Sequence, residues 1–269
     1  MEEQLLTKLR QAHPLVVNYA NFVTPGFVAN GLNALGASPI MTKAEEEAGD
    51  LMAVANALVI NLGTINHRDK ELVLALADAA TAHHKPIVLD PVAVGATAYR
   101  MQVARQLLAD YPIAVIRGNA SEIAALSGAA ATAKGIDAGT TTEDPVLIAA
   151  RCASQYHCTV VLSGPADVIA STERVVKVTG GSELLPAVVG SGDLLSSFIA
   201  AFTAVSPDLP TAAITACSVM DAAAEFAAED LNLRQPGTFA SILLDALTAL
   251  NEERVARITA TVEEYHDQA

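Results

Sequence analysis

Short runs of branched aliphatic residues alternate along the chain with stretches whose apolar positions recur every three or four residues. That alternation is the pattern of β-α-β units around a mainly parallel sheet. Ala57–Leu62 (ALVINL), Pro86–Leu89 (PIVL), Ile113–Ile116 (IAVI) and Thr159–Leu162 (TVVL) read as buried strands. Helices are predicted over Arg68–His83, Tyr99–Asp110, Ser121–Leu126 and Glu143–Tyr156, the last after a loop rich in Ala, Gly and Thr. Val168–Ala170 and Val175–Val178 read as a hairpin about Ser171–Arg174, and from Leu194 onward the pattern is almost wholly helical. The opening segment MEEQLLTKLRQAHP is charged and helix-like, and Glu45–Glu47 reads as a solvated helix face. No linker rich in Pro, Gly or Ser divides the chain, and no sequence repeats, so one domain over residues 1–269 is expected.

One spacing says more than the separate elements. Gly63, Asp90 and Arg117 each follow an apolar strand directly, and they stand 27 residues apart. Two strand–helix–strand units of equal length would line all three along the carboxyl ends of parallel strands. Ligands of open α/β sheets bind at that edge. Chemistry is therefore sought in the polar residues just beyond these strands.

Composition then removes whole classes of partner. The formal net charge is −14, which argues against a basic groove for nucleic acid and against an anionic membrane surface. Hydrophobic residues make up 52% and charged ones 17%, the balance of a packed globule. Aromatics are only 4%, so the core is aliphatic and stacking platforms are hard to assemble. The three cysteines, Cys152, Cys158 and Cys217, form no CxxC pair and leave one over in any disulfide scheme. They fit a reducing compartment. The N-terminus carries no apolar signal core, and no uncharged apolar run reaches the roughly 18–20 residues of a membrane span. A soluble, cytoplasmic protein is expected.

Several motifs are missing. There is no GxxxxGK[ST], the nearest approach running from Gly128 to Lys134. Gly190-Ser-Gly192-Asp-Leu-Leu fails the dinucleotide pattern at its last position. The six histidines include no HExxH, and no GxSxG elbow occurs. His83–His84 lie at a predicted helix end, where dipole compensation or solvation explains them better than a metal.

The segment with the sharpest chemistry is Val189-Gly-Ser-Gly-Asp-Leu-Leu-Ser-Ser-Phe198. Two glycines admit close approach of a ligand to the backbone, and the helix that starts at once offers free N–H groups to an anion. Asp193 stands in that site either as a functional carboxylate or as a helix cap. Asn119-Ala-Ser-Glu122 reads as a capping-box variant, or as a polar pair in which Glu122 organises hydrated Mg²⁺. Asp90-Pro91 is turn chemistry or a second carboxylate on the same edge. Arg117 ends an apolar strand, where a bare charge needs an acid or a phosphate beside it. Ser163-Gly164 offers a hydroxyl and an N–H to phosphate, or simply turns the chain.

Together these residues resemble the hydroxyethylthiazole kinase family of the ribokinase-like superfamily over nearly the whole chain. The resemblance rests on Ala29-Asn-Gly-Leu, Leu35-Gly-Ala-Ser-Pro39 with Met41, and Ile60-Asn-Leu-Gly-Thr64. It continues in Leu89-Asp-Pro-Val-Ala-Val-Gly-Ala-Thr97 with Arg100, Ile116-Arg-Gly-Asn-Ala-Ser-Glu122 and Gly190-Ser-Gly-Asp193. It implies a three-layer α/β fold and ATP-dependent phosphorylation of the hydroxyethyl side chain of a thiazole in thiamine precursor salvage. On the same ground Asp193 is the base near the alcohol, and Gly190 with the N–H groups after it, Gly192 among them, forms the anion hole. Asp90 and Glu122 organise Mg²⁺. Arg117, Ser163 and Gly164 contact ATP, and Asn21, Val23 and Met41 line the thiazole pocket. A homotrimer with sites between subunits is also implied, with Asn21 and Met41 serving a neighbouring chain's nucleotide.

The chain departs from the family at a few positions. The family often carries Cys where Asp193 stands, and Asp is commoner in the wider superfamily. Ala93 replaces a usual Gly, Ser163 a usual Thr and Val17 a common His, and Pro25-Gly26 stands for Met-Asn. Three other readings compete: an ATP-dependent dehydratase of hydrated nicotinamide nucleotides, a kinase for another small alcohol such as hydroxymethylpyrimidine, and a non-catalytic binding protein on a kinase scaffold.

Overall fold

The computed structural model of the protein describes residues 4–128, 143–259 and 261–265. The Ala/Gly/Thr-rich stretch before the Glu143–Tyr156 helix therefore lies largely outside the described residues. So do the first three residues of the N-terminal segment and all but the first residue of Gly128–Lys134.

The chain begins α1 (Leu5–Ala12), β1 (Leu15–Tyr19), α2 (Pro25–Leu35) and β2 (Ser38–Met41). A 3-10 turn at Glu45–Glu47 and α3 (Ala48–Val54) lead to β3 (Ala57–Asn61), α4 (His67–Ala82), β4 (Ile87–Asp90) and α5 (Ala98–Asp110). Next come β5 (Ile113–Asn119), α6 (Ala120–Leu126), α7 (Pro145–Tyr156), β6 (Thr159–Ser163), β7 (Asp167–Ala170) and β8 (Val175–Val178). The last part is α8 (Ser191–Thr203), α9 (Leu209–Ala228), α10 (Pro236–Ala249), α11 (Glu252–Thr259) and β9 (Glu263–Tyr265). The sheet order is β2-β1-β3-β4-β5-β6-β7-β8-β9. Strands β1 to β6 pair in parallel, and β7, β8 and β9 each run antiparallel to the preceding neighbour.

The aliphatic runs that signalled β3 to β6 form those strands, and the hairpin is β7–β8. Four elements before β3 escaped the pattern: α2, α3, β1 and β2. Strand β1 is interrupted by Asn18, and β2 carries Pro39 and is only half buried. Neither gives a continuous apolar run. The expectation that everything after Leu194 is helical meets one exception, the short edge strand β9, whose residues are all exposed.

The pleat of the parallel strands sorts their side chains between two cores. Leu58, Ile60, Ile87, Leu89, Ile116, Val160 and Leu162 pack against the α3–α7 layer. Val59, Val88, Val115 and Val161 face the layer that contains α8 and α9. Two residues further on, with the same parity, the strands reach Asn61, Asp90, Arg117 and Ser163. One rule of alternation thus aims four polar side chains at the face where α8 begins.

The 27-residue spacing holds for one pair of strands and fails for the other. Leu89 lies opposite Ile116, which levels Asp90 with Arg117. On β3, however, the partner of Asp90 is Asn61, and Gly63 lies two residues past it. Arg117 is also not at a strand end, because β5 continues to Asn119.

Helix α8 is buried almost entirely after its first turn, with Phe198 and Phe202 fully enclosed. Phe198→Ala should therefore cost about 3–5 kcal/mol of stability. Urea unfolding measures it, and a loss below about 1 kcal/mol would show that this helix is not anchored by its core face.

Candidate active site

The first turn of α8 starts from Gly190, whose φ of +95° suits glycine. A Cβ there would lie 2.8 Å from Thr24 Cγ2, so the glycine also admits the turn that ends β1's loop. The N–H groups of Gly192 and Asp193 have no backbone partner among the described residues. With the helix dipole they form a patch of positive potential.

Asp193 is held by three donors from other elements. Thr24 Oγ1 and Asn21 Nδ2 donate to its Oδ2 at 2.5 and 2.8 Å, and Asn61 Nδ2 donates to its Oδ1 at 3.0 Å. Thr24 stands at the N-cap of α2 yet makes no side-chain cap to its own helix. Its hydroxyl is spent on Asp193. Nor does Asp193 cap α8, which has no side-chain cap. Asn21 Oδ1 accepts the N–H groups of Val23 and Thr24 at 2.8 and 3.2 Å. Both ends of the Asn21 amide are therefore occupied within its own chain.

Beside Asp193 lies a fully buried carboxylate. Asp90 Oδ2 accepts from Ser196 Oγ at 2.7 Å and from Asn61 Nδ2 at 3.2 Å. Its Oδ1 is buried and bonded to nothing. Burial pushes Asp90 up to about 7, and nearby Asp193 and Glu122 add to the rise, against the pull of Arg117. Arg117 Nη1 stands 3.7 Å from Asp90 Oδ2, its Nη2 donates to Ser163 Oγ at 2.5 Å, and its Nε is a second buried orphan. The guanidinium lies across the first turn of α8: a Cβ on Gly192 would come within 2.7 Å of Nη2. A cation against a helix N-terminus is repelled unless an anion sits between them. The orphaned atoms and this opposition fit a bound polyanion with a counter-cation.

Glu122 realises the capping box. Its Oε2 accepts the Asn119 N–H and Asn119 Oδ1 accepts the Glu122 N–H. Its Oε1 accepts the Ala93 N–H at 2.8 Å, tying the β4 loop to α6. Burial raises the carboxyl, partly offset by those two N–H groups. Ala93 has φ +53°, a left-handed conformation that costs an L-residue about 1–2 kcal/mol. That strain gives the family's usual glycine at this position a physical reason.

Other expected residues stand apart. Gly164 was expected to offer its N–H to phosphate, but it donates to Asp167 Oδ1 at 3.1 Å. Val23 is exposed, as are its neighbours Phe22 and, across the rim, Val189. Met41 closes β2, with β1 between it and the acid cluster. Val17 is fully buried in β1, and Gly26 has open space around its Cα.

The residues that sequence reasoning left without a role are Asn18, Thr24, Asn61 and Ser196. The signal that could have found Asn61 is its parity with Val59. The strand alternation that aims Asp90 aims it too. A second acid pair, Asp167 and Asp221, lies further along the rim, with the Cys217 thiol hydrogen-bonded to Asp167. Burial raises both acids, Asp221 to about 8 with Asp167 and Glu225 adding to it.

The folded state therefore keeps a proton on this pair that the unfolded chain releases, and stability falls as pH rises from the ordinary aspartate range towards 8. Asp221→Asn removes that loss. Its melting temperature should gain on the wild type between pH 5 and about pH 8 and level off above that, and an offset constant over that range would contradict the assignment. Among the described residues no group of three or more His, Cys, Asp or Glu side chains stands ready to hold a metal. A hydrated divalent cation needs only one or two carboxylates plus phosphates, and the orphaned Asp90 Oδ1 fits that demand. No helix among them is long and apolar enough to cross a membrane.

Comparison with known proteins places this geometry. Residues 6–253 match the model of the hydroxyethylthiazole kinase family. The hydroxyethylthiazole kinase of Lactiplantibacillus plantarum is 52% identical over 96% of this chain and 98% of its own. The structure of the hydroxyethylthiazole kinase protein from Pyrococcus horikoshii OT3 has a TM-score of 0.86 at 35% identity, covering 98% of each chain. A ribokinase-like superfamily protein from Enterococcus faecalis V583 has a TM-score of 0.62 at 15% identity over 93% of this chain and 90% of its own, a likeness of fold alone.

Proposed function

The chain belongs to the hydroxyethylthiazole kinase family, and from that premise we propose how its residues carry out ATP-dependent phosphorylation of the primary alcohol of hydroxyethylthiazole. Phosphoryl transfer proceeds through a loose transition state, so positioning and charge stabilisation do most of the work. Asp193 is the base. An aspartate does not deprotonate a free alcohol in advance, but it accepts the proton as the oxygen–phosphorus bond forms. The free N–H groups at the start of α8, behind Gly190 and Gly192, receive the negative charge of the transferred group. Arg117 and Ser163 hold phosphate oxygens of ATP. The observation that supports this most is the pairing of Asp193, tethered by three donors, with the two orphaned atoms Asp90 Oδ1 and Arg117 Nε.

Asp90, with Glu122 behind it, would hold a hydrated Mg²⁺ whose chemistry is to neutralise phosphate charge. Exposed Phe22, Val23 and Val189, and Met41 beyond them, suit the apolar part of the thiazole. They also support assembly as a homotrimer in which a second subunit covers that open side. We read residues 1–269 as one kinase domain acting in the cytoplasm. All three cysteines are free and buried, which agrees with a reducing compartment.

Incubating the protein with ATP, Mg²⁺ and hydroxyethylthiazole should yield the phosphorylated thiazole, detected by phosphorus NMR. Absence of that product, or faster turnover of hydroxymethylpyrimidine, would sink the assignment of substrate. Asp193→Asn should lower turnover by at least roughly 10²-fold while ATP binding by calorimetry persists; unchanged turnover would remove Asp193 from the chemistry. Glu122→Gln turns an amide against a backbone N–H and should cost about 1–3 kcal/mol of stability. It should also raise the Mg²⁺ concentration needed for half-maximal activity, and a wild-type requirement would leave Glu122 a helix cap alone.

A further inference from the structure

The Ile60-Asn-Leu-Gly-Thr64 stretch carries part of the family resemblance, yet the reaction as described gives it no task. Its Asn61 reaches the base. Asn61 Oδ1 accepts the Gly63 N–H at 2.8 Å and the Asn21 Nδ2 at 3.2 Å. The amide can therefore face only one way, with Nδ2 towards the acids. Nδ2 spends one N–H on Asp193 Oδ1 at 3.0 Å and the other on Asp90 Oδ2 at 3.2 Å. All four hydrogen-bonding positions of this buried side chain are thus filled. Thr64 Oγ1 accepts the Phe22 N–H at 3.1 Å and pins the loop that supplies Asn21 and Thr24.

The acceptor count at Asp193 then becomes informative. A carboxylate oxygen has two lone pairs in its plane. Oδ2 has given both, one to Thr24 Oγ1 and one to Asn21 Nδ2. Oδ1 has given one, to Asn61. The base retains one free acceptor position, on Oδ1, and Asn61 sets its direction.

Resting on the reading of Asp193 as base, we propose that Asn61 is its positioning residue, fixing Oδ1 as the oxygen that takes the alcohol's proton. As the alcohol oxygen bonds to the γ-phosphorus, the bond from that phosphorus to the β–γ bridging oxygen breaks, ADP leaves with the electron pair, and the alcohol's proton passes to Oδ1. Asn61 touches no reacting atom. It acts by holding the carboxylate plane, with Asp90 on the neighbouring strand as the second anchor.

The test is a cycle of Asn61→Ala, Asp193→Ala and the double variant, assayed with ATP, Mg²⁺ and hydroxyethylthiazole. Asn61→Ala should lower kcat by about 10²-fold, the scale of a displaced catalytic group, with KM for both substrates within about threefold of wild type. In the Asp193→Ala background the same change should cost less than about threefold, because residues acting as a unit are not additive. A full second loss in that background, or an unchanged kcat in Asn61→Ala, overturns the proposal. Asn61→Ser is the second variant: its hydroxyl can serve the Gly63 N–H but cannot span two acids, so kcat should fall as in Asn61→Ala while circular dichroism and the melting temperature stay near wild type. Recovery of kcat in Asn61→Ser, or loss of the fold in both variants, assigns Asn61 to structure instead. Wild-type turnover of the thiazole alcohol is the control for the reaction itself, and an unaffected Asp193→Ala would sink the base rather than Asn61.

Discussion

A parallel strand buried on both faces can carry a polar side chain only where the chain is about to leave the sheet, and the pleat decides on which side that group emerges. The strand-borne half of this site follows from that constraint. Valines 59, 88, 115 and 161 face the α8 layer, so the next residues of the same parity, Asn61, Asp90, Arg117 and Ser163, emerge under the N-terminus of one helix. A one-residue slip in any of these strands would bury its polar group in the opposite aliphatic core. Fold and site are specified by the same alternation.

The helix that meets them is open to solvent only at its start. Past Asp193, α8 is enclosed, and Ser196 and Ser197 are buried because they bond to Asp90 and Asn18. These hydroxyls lock the helix to two strands at a fixed height. The result is a rigid platform on which the carboxylate of Asp193 needs no conformational search. The two buried atoms without a hydrogen bond, Asp90 Oδ1 and Arg117 Nε, cost free energy that a bound polyanion and cation can relieve.

Much of this could be read from the amino-acid sequence. Aliphatic runs announced β3 to β6, and the glycines before Asp193 announced α8, because burial on both faces and a tight helix start leave distinct compositions. Strands β1 and β2 were hidden, since an interrupted run and a proline-bearing edge do not look apolar. Asp90 and Arg117 were found by position relative to strands, and Asp193 by the glycines before it. Asn61 was passed over because equal spacing pointed to Gly63; the two-residue difference between neighbouring crossovers is a matter of register, which depends on how the helices pack. The partner of the Gly164 N–H was not legible for a related reason: it is Asp167, which arrives from a strand running the other way.

The two ends of the sheet share a property that governs how copies of this chain can meet. One described edge, β2, carries Pro39, which has no amide proton to offer, and the other, β9, presents Glu263 and Glu264. Both borders are thus poor templates for an incoming strand. Strand addition at either end of the sheet is disfavoured, and with it fibre-like growth through the sheet.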